Sequence, residues 1–167
     1  FRGLMPGDNI VWQVESIDDY LPFVKPYAVH ARENRQNLIY FHFAEHAPLL
    51  SAEDGAQVCV LRPDEGFEPF IAEIHRVIDD VGRGSLYLFD CLSQLAADWN
   101  SDRMLGNFFM LTCPHLYDRA AIAYFAILRN YHSFHAVKPI TSTTQVLVDA
   151  FRRKDRLYIH PIKVQHR

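Results

Sequence analysis

Pro69-Phe70-Ile71-Ala72-Glu73-Ile74-His75-Arg76-Val77-Ile78-Asp79-Asp80-Val81, then Gly82-Arg83-Gly84, then Ser85-Leu86-Tyr87-Leu88-Phe89-Asp90 is the stretch that decides the fold class. In its first part Phe70, Ile71, Ile74, Val77 and Ile78 recur at the spacing of a helix with one apolar face. The two glycines stop that helix. The last part is an unbroken apolar run ending on an acid, the pattern of a strand buried on both sides.

The same alternation continues outward in both directions. Ile10-Val11-Trp12-Gln13-Val14 follows the turn residues Pro6-Gly7-Asp8-Asn9 and reads as a buried strand. Asp18 to Glu33 carries Leu21, Val24 and Ala28 at helical spacing, with Asp18 and Asp19 suited to a positive helix start. Pro22 fits a first turn, whereas Pro26 is expected to kink or break this helix. Leu38 to Phe43 and Gln57 to Leu61 are further strands, Asp102 to about Tyr117 is a helix whose last turn Pro114 puts in question, and Ala121 to Leu128 is a strand. At the end, Gln145 to Phe151 and Arg156 to Val164 flank the polar turn Arg152-Arg153-Lys154-Asp155, the signature of an antiparallel hairpin. Strand-helix alternation followed by a hairpin implies an α/β fold: a mostly parallel sheet with an antiparallel edge, covered by helices. No repeat, linker or low-complexity segment divides the 167 residues, which read as one domain, residues 1–167, with the possibility of a longer parent left open.

Composition narrows the function. Hydrophobic residues at 49% and charged residues at 22% are those of a folded soluble domain, and a net charge of −3 argues for neither nucleic acid nor an anionic membrane as partner. No apolar run approaches the roughly 20 residues that span a bilayer. Cys59, Cys91 and Cys113 are three, widely spaced and set in apolar runs. They read as buried reduced thiols in a cytoplasmic protein.

Several motifs, in order, resemble the KaiC-like branch of the RecA-type P-loop ATPases. Gly3-Leu4-Met5-Pro6-Gly7-Asp8-Asn9-Ile10-Val11 is similar to that family's turn before its first strand. Tyr40-Phe41-His42-Phe43-Ala44-Glu45-His46 is similar to the second core strand, which ends in paired acids. Leu86 to Asp90, followed by Leu92-Ser93, looks like the Walker B strand and its continuation, and Tyr158 to Arg167 resembles the closing strand with its Lys-x-Arg element. The resemblance implies a RecA-like three-layer sandwich, a tendency to form oligomers, Asp90 as a residue orienting Mg²⁺, Glu45 as general base, and Lys163 and Arg167 as residues reaching a neighbouring subunit. The ending Tyr-Ile-x-Pro-Ile-Lys-Val also resembles N-terminal extensions of phosphoenolpyruvate synthase and pyruvate-phosphate dikinase-like proteins.

One part of the family pattern is absent. A phosphate-binding loop needs glycines that turn backbone N–H groups inward, a Lys for the phosphate oxygens and a Ser or Thr for Mg²⁺. Here the first strand runs into Val14-Glu15-Ser16-Ile17-Asp18-Asp19-Tyr20, with no Gly, no Lys and three carboxylates. The carboxylates repel a triphosphate, and β-branched Ile17 resists positive φ. The expectation is therefore a pseudo-ATPase: a non-catalytic interaction or regulatory module with no cofactor, whose partners are a second copy or other domains of its own polypeptide. The alternatives are a divergent nucleotide-dependent enzyme using ATP and Mg²⁺ through Glu45 and Asp90, with Lys163 as a further candidate, and a small-ligand sensor. In open α/β sheets ligands bind beyond the carboxyl ends of the strands, which would place Glu15, Ser16, Glu45, His46, Asp90 and Ser93 around such a ligand.

The remaining constellations carry less. His132-Ser133-Phe134-His135 brings two of nine histidines together, and His42 and His46 flank Glu45, but there is no Cys-x-x-Cys and no His-Glu-x-x-His, so no metal site is expected. No Gly-x-Ser-x-Gly occurs, so no serine-centred hydrolysis is expected either. Arg152-Arg153-Lys154-Asp155-Arg156 is a basic hairpin tip, expected to be solvated.

Overall fold

Crossover direction determines where the helices of this chain lie. The computed structural model describes residues 3–165. Seven strands, β1 (Asn9–Val14), β2 (Leu38–His42), β3 (Ala56–Val60), β4 (Leu86–Cys91), β5 (Ile122–Leu128), β6 (Val146–Arg153) and β7 (Arg156–Val164), form one sheet in the order β3-β2-β4-β5-β1-β6-β7. All neighbouring pairs are parallel except β6 with β7. The helices are α1 (Leu21–Glu33), α2 (Phe67–Val81), α3 (Ser93–Asp98), α4 (Asp102–Asp118) and α5 (Phe134–Thr143).

Parallel crossovers are right-handed, so steps in opposite directions across a sheet place their helices on opposite faces. The steps β3 to β4, β4 to β5 and β5 to β6 all run one way, and α2, α3, α4 and α5 pack together on one face. Only β1 to β2 and β2 to β3 run the other way. The opposite face accordingly holds α1 and the β2–β3 connection with Leu49 and Leu50. Strand residues alternate between the layers: Ile39, Phe41, Tyr87, Phe89 and Phe125 join the thick layer, and Leu38, Tyr40, Leu86 and Leu88 the thin one. The chain is thus a three-layer α/β sandwich with unequal outer layers.

On the thick side Phe70, Ile71, Ile74, Val77 and Ile78 of α2 are all buried, each stabilising by roughly 1.5–3 kcal/mol. On the thin side Trp12 stacks on Phe23 at 3.9 Å and Tyr27 on Tyr124 at 4.0 Å. Beside these rings lies a cavity of about 500 Å³ walled by Trp12, Phe23, Pro26, Tyr27 and Tyr124.

The prolines behave differently from expectation. α1 passes through Pro26 unbroken, and α4 passes through Pro114 to Asp118. Each proline removes one intrahelical bond. Packing of Val24, Tyr27, Ala28 and Ala31, and of Phe109, Cys113 and Leu116, outweighs that loss. The carbonyl released by Pro114 belongs to Met110, a half-exposed residue that water can reach. The helical segment from Asp18 also starts later than its spacing suggests, because Ile17–Asp19 form a 3₁₀ turn before α1. The hairpin turn is tighter than the four residues expected. Only Lys154 and Asp155 connect the strands, both with positive φ (50° and 60°), as a two-residue turn of matching twist requires.

Candidate functional site

The carboxyl ends of β1, β2, β4, β5 and β6 share one edge of the sheet; of the polar residues singled out from the sequence, Glu15, Ser16, Glu45, His46 and Ser93 follow those strand ends and Asp90 lies in β4 just before its end. Three arrangements occupy this edge.

The first is the turn from β1 into α1. Its backbone amides are used locally: Asp19 N–H donates to Ser16 O at 3.1 Å and Tyr20 N–H to Ile17 O at 3.0 Å. The Ser16 hydroxyl donates to Asp19 at 3.2 Å, and the guanidinium of Arg152 meets the buried Asp19 carboxylate at 2.5 Å. Arg129, from the end of β5, lies 3.6 Å from Glu15 and 2.9 Å from Asp149. It also covers the Phe151 ring at 4.9 Å. Glu15 and Asp19 of the turn are therefore paired with arginines of the neighbouring strands within the domain.

The second arrangement surrounds Asp90, which is fully buried. One carboxylate oxygen accepts from His42 Nδ1 at 2.7 Å, Phe43 N–H at 2.8 Å and Ala44 N–H at 3.0 Å. The other accepts from the Tyr40 hydroxyl and lies 3.8 Å from His46 Nε2, too far for a hydrogen bond. Tyr40 in turn accepts from Leu49 N–H at 3.1 Å. Burial, reinforced by the negative charge of Asp90, pushes the Tyr40 hydroxyl far above the phenol range, so it stays a donor. Asp90 thereby ties β4 to β2 and to the loop beyond it. Glu45 stands exposed on that loop, while the His46 ring turns back, its Nδ1 2.8 Å from Ala47 O.

The third arrangement joins residues that no motif connects. Ser93, the first residue of α3, places its Oγ 2.6 Å from His132 Nε2. His132 Nδ1 is 2.5 Å from Asp102 Oδ1, at the start of α4. Two backbone amides fix the ends of the chain: Leu128 N–H donates to Ser93 Oγ at 2.8 Å, and Ser133 N–H to Asp102 Oδ2 at 2.7 Å. With Nδ1–H directed at the carboxylate, Nε2 is left to accept the serine proton. Partial burial acts to raise the Asp102 carboxyl, but the hydrogen bonds from Ser133 and His132 prevail and hold it below the usual range. The His132 side chain is only 1% exposed, so this line of bonds is shielded from water at its centre. Ser93 also borders a cavity of about 200 Å³ with Ile17, Ala44, His46, Cys91 and Leu128.

The sequence has no Gly-x-Ser-x-Gly, the local signature of a serine nucleophile. The relay is instead assembled from three connections, after β4, at the start of α4 and after β5. In the sequence Ser93 stands in the Leu-Ser continuation after Asp90, His132 in His-Ser-Phe-His, and Asp102 at a helix start. The serine at the strand-to-helix junction and the histidine after the next strand of the sheet were the available signals.

The other named residues lie apart from these groups. Lys163 turns inward and donates to Thr141 O at 2.7 Å and Thr144 O at 2.5 Å, capping the end of α5; burial lowers its ammonium below the usual lysine range. Arg167 lies outside the described residues. His135 is exposed, whereas the His42 and His46 rings lie 6.0 Å apart beside Asp90. Among the described residues no three His, Cys, Asp or Glu side chains converge as metal ligands. Cys59, Cys91 and Cys113 are unpaired, and no helix of the described residues is long and apolar enough to cross a membrane. No protein-family model matches the chain, and no curated protein matches it.

Proposed function

We propose that this chain is a RecA-like module, akin to the KaiC-type ATPases, that has given up nucleotide hydrolysis and works by docking another protein surface. The observation that carries this reading is the internally paired turn between β1 and α1. A triphosphate held there would need inward-facing amides and positive charge. Instead the amides of Asp19 and Tyr20 close a 3₁₀ turn, and Arg129 and Arg152 are paired with Glu15, Asp149 and Asp19. Asp90 supports the same reading, because its oxygens are taken up by protein donors rather than left to orient a hydrated cation.

The docking half of the proposal rests on the unequal layers. The edge strand β7 exposes Tyr158, Ile159 and Ile162, and the thin α1 face keeps its aromatic-walled cavity. Such surfaces suit a second copy or a further domain of the same polypeptide. The cytoplasm, where unpaired cysteines stay reduced, is the compartment this reading implies.

Calorimetric titration with ATP and ADP, with and without Mg²⁺, tests the first half: no heat is expected at millimolar nucleotide, and micromolar binding overturns it. Light scattering across a concentration series tests self-docking. Association is expected, weakened by joint Ile159→Glu and Ile162→Glu substitution, and a chain that stays monomeric throughout defeats the self-docking form.

A further inference from the structure

We propose that Ser93 is a nucleophile of the serine-hydrolase kind, activated by His132 and positioned through Asp102, and that it cleaves short-chain carboxylic esters. The inference is independent of the nucleotide and docking readings above. Catalytic triads are recognised by geometry and role rather than by sequence order. Nucleophile to base is 2.6 Å and base to carboxylate 2.5 Å, both within hydrogen-bond reach.

The surrounding bonds assign each proton. Leu128 N–H occupies one lone pair of Ser93 Oγ and fixes its rotamer, so its single proton points at His132 Nε2. Ser133 N–H fixes Asp102, which remains a carboxylate because its hydrogen bonds hold it low. Asp102 in turn selects the imidazole tautomer that leaves Nε2 free to accept. A merely structural clamp between two loops needs the first of these contacts; it does not need a third, ionised member aligned behind the ring.

The chemistry closes with water as the only co-reactant. Oγ attacks the acyl carbon of the ester while its proton passes to His132 Nε2. The bond from acyl carbon to alcohol oxygen breaks, and the departing alkoxide takes the proton from Nε2. Water then adds to the acyl carbon of the acyl-Ser93 intermediate, giving its proton to Nε2. The bond to Oγ breaks, Oγ recovers that proton, and the carboxylic acid leaves.

The cavity beside Ser93 sets the substrate class. At about 200 Å³, walled by Ile17, Ala44, Cys91 and Leu128, it suits an acyl chain of a few carbons rather than a fatty chain. Burial pushes the Cys91 thiol above its ordinary range, which leaves Ser93 as the activated nucleophile on this wall. His46, Gln94 and Tyr131 also line the cavity; the His46 Nδ1 faces the Ala47 carbonyl, and its buried Nε2 has no hydrogen-bond partner.

The test is labelling of the whole chain with a fluorophosphonate probe, read by intact mass and peptide mapping, together with hydrolysis of p-nitrophenyl acetate, butyrate and octanoate. A single adduct on Ser93 is expected, with acetate and butyrate cleaved faster than octanoate. Ser93→Ala should abolish the adduct, and His132→Gln should slow it on the order of 10²-fold or more. Asp102→Asn should displace the pH profile of labelling, which a structural role would leave in place. Absence of a Ser93 adduct on the folded wild-type chain overturns the proposal without reference to any variant. A labelling rate unchanged in a folded His132→Gln variant overturns it as well.

Discussion

Asp90 and Ser93 close the same strand end, yet the structure treats them in opposite ways. Asp90 collects donors from β2 and the loop beyond until both oxygens are engaged. Ser93 accepts one backbone amide and directs its single proton along a line to His132 and Asp102. A buried carboxylate whose two oxygens are both engaged by protein donors holds structure, and its removal strands several buried donors. A hydroxyl with one fixed proton and a based, oriented acceptor is set up for transfer. The difference shows that burial alone does not distinguish a functional polar group from a structural one. What distinguishes them is whether the hydrogen bonds converge on the group or pass through it.

The largest effect expected from breaking this comparison comes from Asp90→Ala. Tyr40, His42 and the amides of Phe43 and Ala44 lose their acceptor, and stability should fall on the order of 3–5 kcal/mol. A urea denaturation series checks it. Ser93→Ala, which leaves fewer groups unpaired, should lower stability by only about 1 kcal/mol; a loss equal to that of Asp90→Ala would mean the two sites are alike.

Gly106→Ala lies between these in size. A Cβ at Gly106 would sit 3.0 Å and 3.3 Å from Pro139 side-chain atoms and 3.4 Å from Ala136 O, where α4 meets α5. Those helices begin beside Asp102 and His132, so forcing them apart disturbs the relay while leaving Asp90 alone. Overpacking of about 1–3 kcal/mol, partly offset by the better helix propensity of Ala, is expected. Ser93 labelling should slow in the same variant.

The smallest effect is on pH dependence. Asp102 is held below its ordinary range in the folded chain. Its contribution to stability is thus present above the unfolded carboxylate range, near about pH 4, and is lost as pH falls through its lower folded value. Thermal melting at decreasing pH should show a small acid-side decline that Asp102→Asn flattens; an unchanged decline would mean that other groups account for it.

Much of the fold was legible before any coordinates. Apolar strands alternating with one-sided helices appear in Phe70 to Ile78 and Leu86 to Phe89, and the terminal hairpin in the polar turn before Arg156. Pro26 and Pro114 misled, because a proline removes one local bond while the helices around it are held by many side-chain contacts. Periodicity does not mark α3 and α5 as helices: the first is very short, and the second contains Pro139 and begins among aromatic and histidine residues.

The sequence by itself determined the element types, the α/β class and the glycine-free turn at Val14 to Tyr20, because periodicity and backbone preference are local properties. Only the tertiary structure decided the order β3-β2-β4-β5-β1-β6-β7, the thick and thin outer layers, the pairing of Arg129 and Arg152 with the acids of that turn, and the meeting of Ser93, His132 and Asp102. Those features depend on which strand ends become neighbours. That is settled by the packing of a whole sheet against its helices, and residues far apart in the chain carry no local mark of it.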